Sequence, residues 1–463
     1  MAIADVDGDR RADAVLVTGF GFDADNDYSV FVFLQDADGA LRAPVRYPYG
    51  ATSNAGIGLA VGDLDGDGTA EIVVGHDAGA TIMRWDRSVT PAVMRVGRVA
   101  SPQGLQALAI ADVNRDGWAD IVGVGGEALR VLAGDGAGQA VPVAYRSMPG
   151  RMRSDLKAAD MDGDGFDDIV VQSEYPDARP VLFRNDGSDT MAVPVFLGTD
   201  TQIAAAALVL LDLGGDRRND VIAARGTGEL AIYRQSFKRV LLPAGTLNVA
   251  NVGALQAADL DGDGRSDLVV RGRDQNVRIY LQRRTGLEFF GSYAGPIDST
   301  FVSNQGLAIG DLDGDGCPDV AVASSGQGLA VFKSRSCAAF ELEPRITLRP
   351  ALASLLIPND LATPVSNVTL DIALGVTQGT VSLGATPPGC SAAPQGPQYI
   401  VLSCAIGDIG PAQSRSIEMP LQVSANDPKA RLWMHATAGA TVGSERRRGS
   451  RVEEQVFIHS RTP

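Results

Sequence analysis

Apolar residues in the first two thirds of the chain come in short bursts. Leu105–Ala111 is followed by Asp120–Val124, Ala128–Ala133 and Val141–Tyr145, each bounded by Gly, Pro or Asp. These runs are too short for helices and show no 3.6-residue period, so they read as four strands. The pattern recurs as Leu268–Arg271 then Val277–Leu281, and as Val320–Ala323 then Leu329–Phe332. Between the first and second strand of each unit lies Asp-x-Asp-Gly-Asp-Gly-x-x-Asp or a close variant. The copies start at Asp5, Asp63, Asp112, Asp160, Asp212, Asp259 and Asp311, 47 to 58 residues apart. One four-stranded sheet cannot bury both its faces, whereas sheets packed radially can. Seven copies at this period therefore predict an all-β fold, a seven-bladed β-propeller over residues 1–340. A β-solenoid would need shorter repeats. Every acidic loop joins a first strand to a second, so all seven lie on one face. The second-to-third and blade-to-blade connections lie on the other.

The pattern changes after Phe340–Pro344. Candidate strands then run Arg345–Leu348, Val368–Leu374, Thr380–Leu383, Tyr399–Cys404, Ser416–Val423, Arg431–Ala436 and Val452–His459. Seven short strands with Pro/Gly turns fit an Ig-like β-sandwich over 345–463. No apolar run approaches the length of a membrane span. No basic or apolar leader precedes Met1–Ala4, which already reads as a strand. The chain therefore reads as a mature form, a fragment, or one whose true start lies upstream.

The repeated loop is a candidate metal site. Carboxylates at positions 1, 3, 5 and 9, with a backbone carbonyl at position 7, suit a hard cation. Calcium takes six to eight oxygens flexibly, while magnesium prefers fewer carboxylates and more water. Glycine at position 6 lets the chain turn back with φ > 0. The spacing is that of the first half of an EF-hand loop, but strands flank it and the last ligand comes at position 9. The complete sets are Asp160, Asp162, Asp164, Asp168; Asp259, Asp261, Asp263, Asp267; and Asp311, Asp313, Asp315, Asp319. The set Asp63, Asp65, Asp67, Glu71 ends in a glutamate. The set Asp112, Asn114, Asp116, Asp120 has a neutral oxygen at position 3. The set Asp5, Asp7, Asp9, Asp13 carries Arg10 where Gly is expected. The copy at Asp212 has lost its position-3 acid and position-6 Gly and is expected to be empty or weak. About five or six Ca2+ sites are expected from this ligand count. A simple Asx turn needs one Asp or Asn, not four oxygens at fixed offsets.

Charge points the same way. The chain carries 56 acidic and 40 basic side chains, a net −16. Residues 341–463 hold 10 of each, so the excess belongs to the repeats. Carboxylates crowded in a loop repel one another unless a cation joins them.

The repeats resemble the FG-GAP/VCBS repeats of the integrin α-subunit N-terminal type, most closely at Gly62–Gly68 and Gly310–Gly316. The resemblance covers residues 1 to about 340. It implies a seven-bladed propeller with calcium in its loops and, commonly, an extracellular or cell-envelope setting. It leaves function open, because relatives include adhesion receptors, bacterial surface proteins, lectin-like propellers and accessory domains of secreted enzymes. The segment around Cys390 and Val401–Pro411 is similar to the Ig-like repeat domains of bacterial surface proteins.

The four cysteines are Cys317, Cys337, Cys390 and Cys404. Three connectivities are possible. Pairing within each domain, Cys317–Cys337 and Cys390–Cys404, is the simplest, and four free thiols is the alternative. Histidines occur only at 76, 435 and 459 and form no evident catalytic set with Ser or Cys. The acidic balance disfavours nucleic acid, and the basic run Arg446–Arg448 with Arg451 reads as a solvated turn. If the calcium loops brace the fold, binding belongs to the opposite face. Its long loops there are Gly19–Tyr28, Tyr47–Thr52, Ser173–Asp177 and Gly291–Gly295, which offer aromatic surface. Asp23, Asp25 and Asp27 form a poorer cation candidate. The expectation is a calcium-stabilised, non-catalytic protein that is secreted, periplasmic or at the cell surface, and that binds a protein or glycan partner. The alternative is an accessory or catalytic propeller of a secreted carbohydrate-active enzyme.

Overall fold

The computed structural model describes residues 1–19, 27–50, 57–90, 92–101, 104–126, 128–147, 151–175, 179–187, 193–198, 207–214, 216, 218–225, 228–236, 239–283, 286–296, 306–324, 328–334, 337, 344–359, 364–394, 396–425, 430–442 and 445–458. Among them there is no helix. The chain divides into two compact units. Met1–Leu260, Gly264–Gln282 and Leu287–Cys337 form the first; Ala338–Pro463 with Asp261–Asp263 and Arg283–Gly286 form the second.

Among the described residues up to 332, the strands form seven antiparallel sheets, six of four strands and a last one of three. Strand order in each follows the sequence. The first strands are Ala2–Ala4, Gly58–Gly62, Ala107–Ala111, Arg151–Ala159, Leu208–Leu211, Val252–Ala258 and Leu307–Gly310. Each packs on the next, and Leu307–Gly310 packs back on Ala2–Ala4. The second strands include Glu71–His76, Asp120–Gly125 and Asp267–Gly272, buried at every position. A strand covered on both faces needs a continuous apolar run rather than an alternating one, and these have it. Fourth strands such as Leu241–Asn248 and Gly286–Ala294 are mostly exposed.

The packing explains why no sheet stands alone. Each apolar cluster draws on two consecutive sheets. Val15, Val30 and Val32 meet Ile72, Val74 and Met83, and Val122 and Leu129 meet Ile169 and Phe183. Ala14 and Phe33 of the first sheet meet Ala308, Leu312 and Ala321 of the last. The succession closes on itself, giving a propeller-like fold in which every interior sheet face is covered.

Among its described residues the second unit holds nine strands in two sheets. Leu352–Pro358, Ser414–Ser424 and two shorter strands make one; Val365–Val376, Tyr399–Ile409, Arg431–Val442 and two others make the second. Burial alternates along Val365–Val376 and Ser414–Ser424, so each sheet turns one face inward. Leu355 and Met419 from one sheet and Leu370, Leu402 and Leu432 from the other share a single core. Two strands go beyond the sequence expectation, Leu352–Pro358 and Cys390–Pro394. The structure pairs Cys317 with Cys337 and Cys390 with Cys404. The stretch Gly291–Gly295, read as a loop, instead continues the strand Gly286–Ala294.

Candidate metal centre

Register fixes both ends of every acidic loop. The position-9 acid opens the second strand and pairs with the residue just before position 1: Asp13 with Ala4, Glu71 with Gly62, Asp120 with Ala111, Asp168 with Ala159. Asp220, Asp267 and Asp319 pair with Leu211, Ala258 and Gly310 in the same way. Eight residues must turn back within that span. The position-1 carboxylate organises the turn by accepting backbone N–H groups from positions 4 and 6. Asp63 takes Gly66 at 2.7 Å and Gly68 at 2.8 Å; Asp311 takes Gly314 at 2.7 Å and Gly316 at 2.8 Å. Both positions need φ > 0, as at Gly66 (74°) and Gly68 (84°). The sequence reading identified this need at position 6 but not at position 4. Arg10, at position 6 of the first loop, adopts φ 70° regardless.

Positions 3 and 5 continue the turn. Asn114 accepts Asp116 N–H at 2.9 Å, Asp9 accepts Arg11 N–H at 2.9 Å, and Asp164 accepts Phe166 N–H at 2.9 Å. One oxygen of each side chain binds backbone; Asn114 Nδ2 also donates to Asp116 Oδ2 at 3.0 Å, and Asp9 Oδ2 pairs with Arg11.

Position 9 has a further role that sequence reasoning missed. Its acid is buried in all seven copies, at 0–2% exposure. One oxygen accepts the position-2 N–H, as from Val6, Val113, Leu213 and Leu312, each at 3.0 Å. In six copies the other accepts an N–H from the end of the third strand or within two residues beyond it, from Gln35, Gly134, Asn185, Gln235, Gln282 or Ser334. This acid bolts loop to sheet through its hydrogen bonds. The signal was present in the defective fifth copy, which keeps Asp212 and Asp220 although its position-3 acid and position-6 Gly are gone.

The same corner ties neighbouring sheets together. Asn185 Nδ2 donates to Val113 O at 2.6 Å, Gln282 Nε2 to Asp212 O at 2.7 Å, and Gln35 Nε2 to Asp311 O at 3.2 Å. The last bond joins the first sheet to the seventh. Arg115 of the third loop stacks 4.7 Å over Phe166 of the fourth.

Five loops gather three acids whose oxygens all lie within 4.8 Å of one another. They are Asp5, Asp7, Asp13; Asp63, Asp65, Glu71; Asp160, Asp162, Asp168; Asp259, Asp261, Asp263; and Asp311, Asp313, Asp315. The third and fifth loops gather no such trio among the described residues. In the third, Asp112 Oδ1 is nevertheless buried without a hydrogen-bond partner. Burial pushes Asp13 and Asp168 up to about 6 and Glu71 to about 7, and neighbouring loop carboxylates add to the rise. An all-oxygen donor set in which protons are held this readily fits a hard divalent cation. Basic side chains flank several loops: Arg84 lies 3.7 Å from Asp65, Lys333 lies 3.2 Å from Asp313, and Arg184 meets Asp162. A cavity of about 690 Å3 adjoins the second loop, lined by Asp65, Glu71, Arg84, Trp85 and Arg95 among others.

At the far end of the sheets, Tyr49 OH donates to Thr18 O at 2.6 Å, and its ring stacks 6.0 Å from His76. His76 is 4% exposed; its Nε2 lies 3.0 Å from Thr81 Oγ1, and its Nδ1 accepts Ala78 N–H. It is a packing residue. Of the long loops expected to recognise a partner, residues 20–26, which include Asp23 and Asp25, 51–52 and 176–177 lie outside the described residues, as does His459.

Comparison with known proteins places this architecture. No curated protein matches the chain. Among solved structures it is similar in fold to BBS1N in complex with ARL6DN, with a TM-score of 0.50 and 14% identity, covering 73% of this chain and 92% of that one. It is also similar to an Agrocybe aegerita lectin that recognises non-reducing terminal N-acetylglucosamine, with TM-score 0.44, 19% identity and coverage of 65% and 79%. A functionally unknown protein from Desulfotomaculum acetoxidans gives TM-score 0.46 and 12% identity, covering 67% and 90%. The model of the FG-GAP-like repeat matches residues 5–74, 112–171, 212–270 and 259–322, each match starting on the first aspartate of an acidic loop. These matches span more than half of the sequence, and the chain belongs to the FG-GAP-like repeat family.

Proposed function

We propose that residues 1–340 form a seven-bladed β-propeller braced by calcium in its acidic loops, and that 345–463 form an Ig-like sandwich. The molecule then acts as a non-catalytic binding or adhesion protein outside the cell or at its surface. The observation that carries this reading is the repeated trio of carboxylates held within 4.8 Å at the same end of successive sheets. Calcium suits such a set because it accepts six to eight oxygens at flexible geometry. The closed succession of apolar clusters supports seven blades, and the single core shared by two sheets supports a sandwich. Two disulfides support an oxidising compartment. The repeat family supports a binding role in general. A protein or glycan partner is assigned to the face opposite the calcium loops, since those loops are engaged in holding the fold.

Calorimetric titration of chelator-treated protein tests the metal. Calcium should bind at several sites, with magnesium a poor substitute, and the absence of any calcium heat would sink the reading. Glycan and protein arrays probed with the calcium-loaded chain test the role. Retention without turnover is expected, whereas release of cleaved polysaccharide would replace this reading with an enzyme.

A further inference from the structure

The sixth loop has the full motif, yet its geometry differs from its siblings. Arg283 Nη1 lies 2.6 Å from Asp261 Oδ2 and 3.1 Å from Asp263 Oδ2. One nitrogen thus bridges positions 3 and 5, as a bound metal would. The three side chains are 10%, 15% and 2% exposed. The basic groups beside other loops differ: Arg84, Arg184 and Lys333, 40%, 32% and 55% exposed, pair with a position-3 acid, and Arg11 and Arg87, 33% and 43% exposed, with a position-5 acid, none of these five with both. The origin is visible in the register. The residue after the one whose N–H the position-9 acid accepts is Asp36, Asp135 and Asp186 in the first, third and fourth sheets, and an arginine in the sixth (Arg283) and seventh (Arg335). The fifth loop shows a related substitution. Its position 3 is Gly214, and Arg234 Nη2 comes within 2.7 Å of where a Cβ would stand.

We propose that the Arg283 guanidinium takes the cation's place in the sixth loop, so that this loop is braced without calcium and excluded from calcium uptake. The inference rests on the calcium reading of the other loops. A calcium ion needs oxygens at about 2.3–2.6 Å, and coordinating Asp261 and Asp263 would set it against a largely buried positive charge that is ion-paired with Asp261 and hydrogen-bonded to Asp263. The ion must expel Arg283 to enter. The full motif therefore overstates the number of metal sites.

The test counts bound calcium per chain at saturation, by equilibrium dialysis and elemental analysis, for wild type and Arg283→Met. Arg283→Gln serves if the first variant folds poorly. The count should rise by one in the variant, and adding Asp261→Asn to it should abolish the gain. An unchanged count in a wild type that binds calcium overturns the exclusion alone. A gain that survives Asp261→Asn also overturns it. A wild type that binds no calcium overturns the calcium reading, and a variant that then also binds none overturns the exclusion with it.

Discussion

Two single residues separate what the loops need as turns from what they need as metal ligands. Arg10 holds φ 70° where five sibling loops have glycine. A non-glycine residue there costs about 1–2 kcal/mol, partly offset by the chain entropy glycine would lose. Arg10→Gly should therefore raise stability by about 1 kcal/mol, read as a higher denaturant midpoint; an unchanged or lower midpoint would remove strain from the account of this loop. Asp220 tests the opposite case. It accepts Leu213 N–H at 3.0 Å and Gln235 N–H at 2.6 Å in a loop whose position 3 is Gly214. Asp220→Asn places an amide N–H₂ against a backbone donor and should cost about 1–3 kcal/mol. The loss should be equal in calcium and in chelator. A loss seen only in calcium would make Asp220 a ligand rather than a bolt.

At the scale of strands and loops, legibility followed the local chemistry. Second strands such as Asp120–Gly125 were readable because burial on both faces demands an unbroken apolar run. The acidic loops were readable because the same residues recur in phase. Leu352–Pro358 was not, since its Leu-Ala-Ser-Leu-Leu-Ile-Pro lacks clean alternation. Cys390–Pro394 was not, since its Cys-Ser-Ala-Ala-Pro has none of the β-branched or aromatic residues that mark strands. It pairs with Tyr399–Ile409 in a register that sets Cys390 opposite Cys404. Nor could spacing reveal that Arg283 lies between Asp261 and Asp263, because that depends on which way a side chain turns at a strand end. The Cys390–Cys404 bridge closes a loop with a sequence separation of 14. Chain-entropy arguments give about 3 kcal/mol for a loop of this size. Replacing both cysteines by serine should lower the stability of the second unit by that amount, read as a lower unfolding midpoint, and leave the first unit's transition in place. A shift in the first unit's transition instead would show that the bridge acts elsewhere.

At the scale of the whole chain, charge and ligand sites share one address. The net −16 belongs to the repeats, because residues 341–463 balance at 10 acidic and 10 basic. Without a cation, the trios at Asp5, Asp63, Asp160 and Asp311 hold carboxylates within 4.8 Å of one another, and the folded state bears their repulsion. A ligand that binds only the native state stabilises it by about 2.7 kcal/mol per site at a hundredfold excess over its Kd. Four such loops would contribute roughly 10 kcal/mol, a shift of the order of 10–20 °C in a domain this large. Chelation should therefore lower the melting temperature of the first unit by that order. The second unit, which is charge-balanced and has its own core, should melt at the same temperature with or without calcium. Scanning calorimetry of the full chain separates the two transitions. Coincident traces in calcium and chelator would mean that hydrogen bonds such as those of Asp13 and Asp319, together with resident arginines, hold the loops alone.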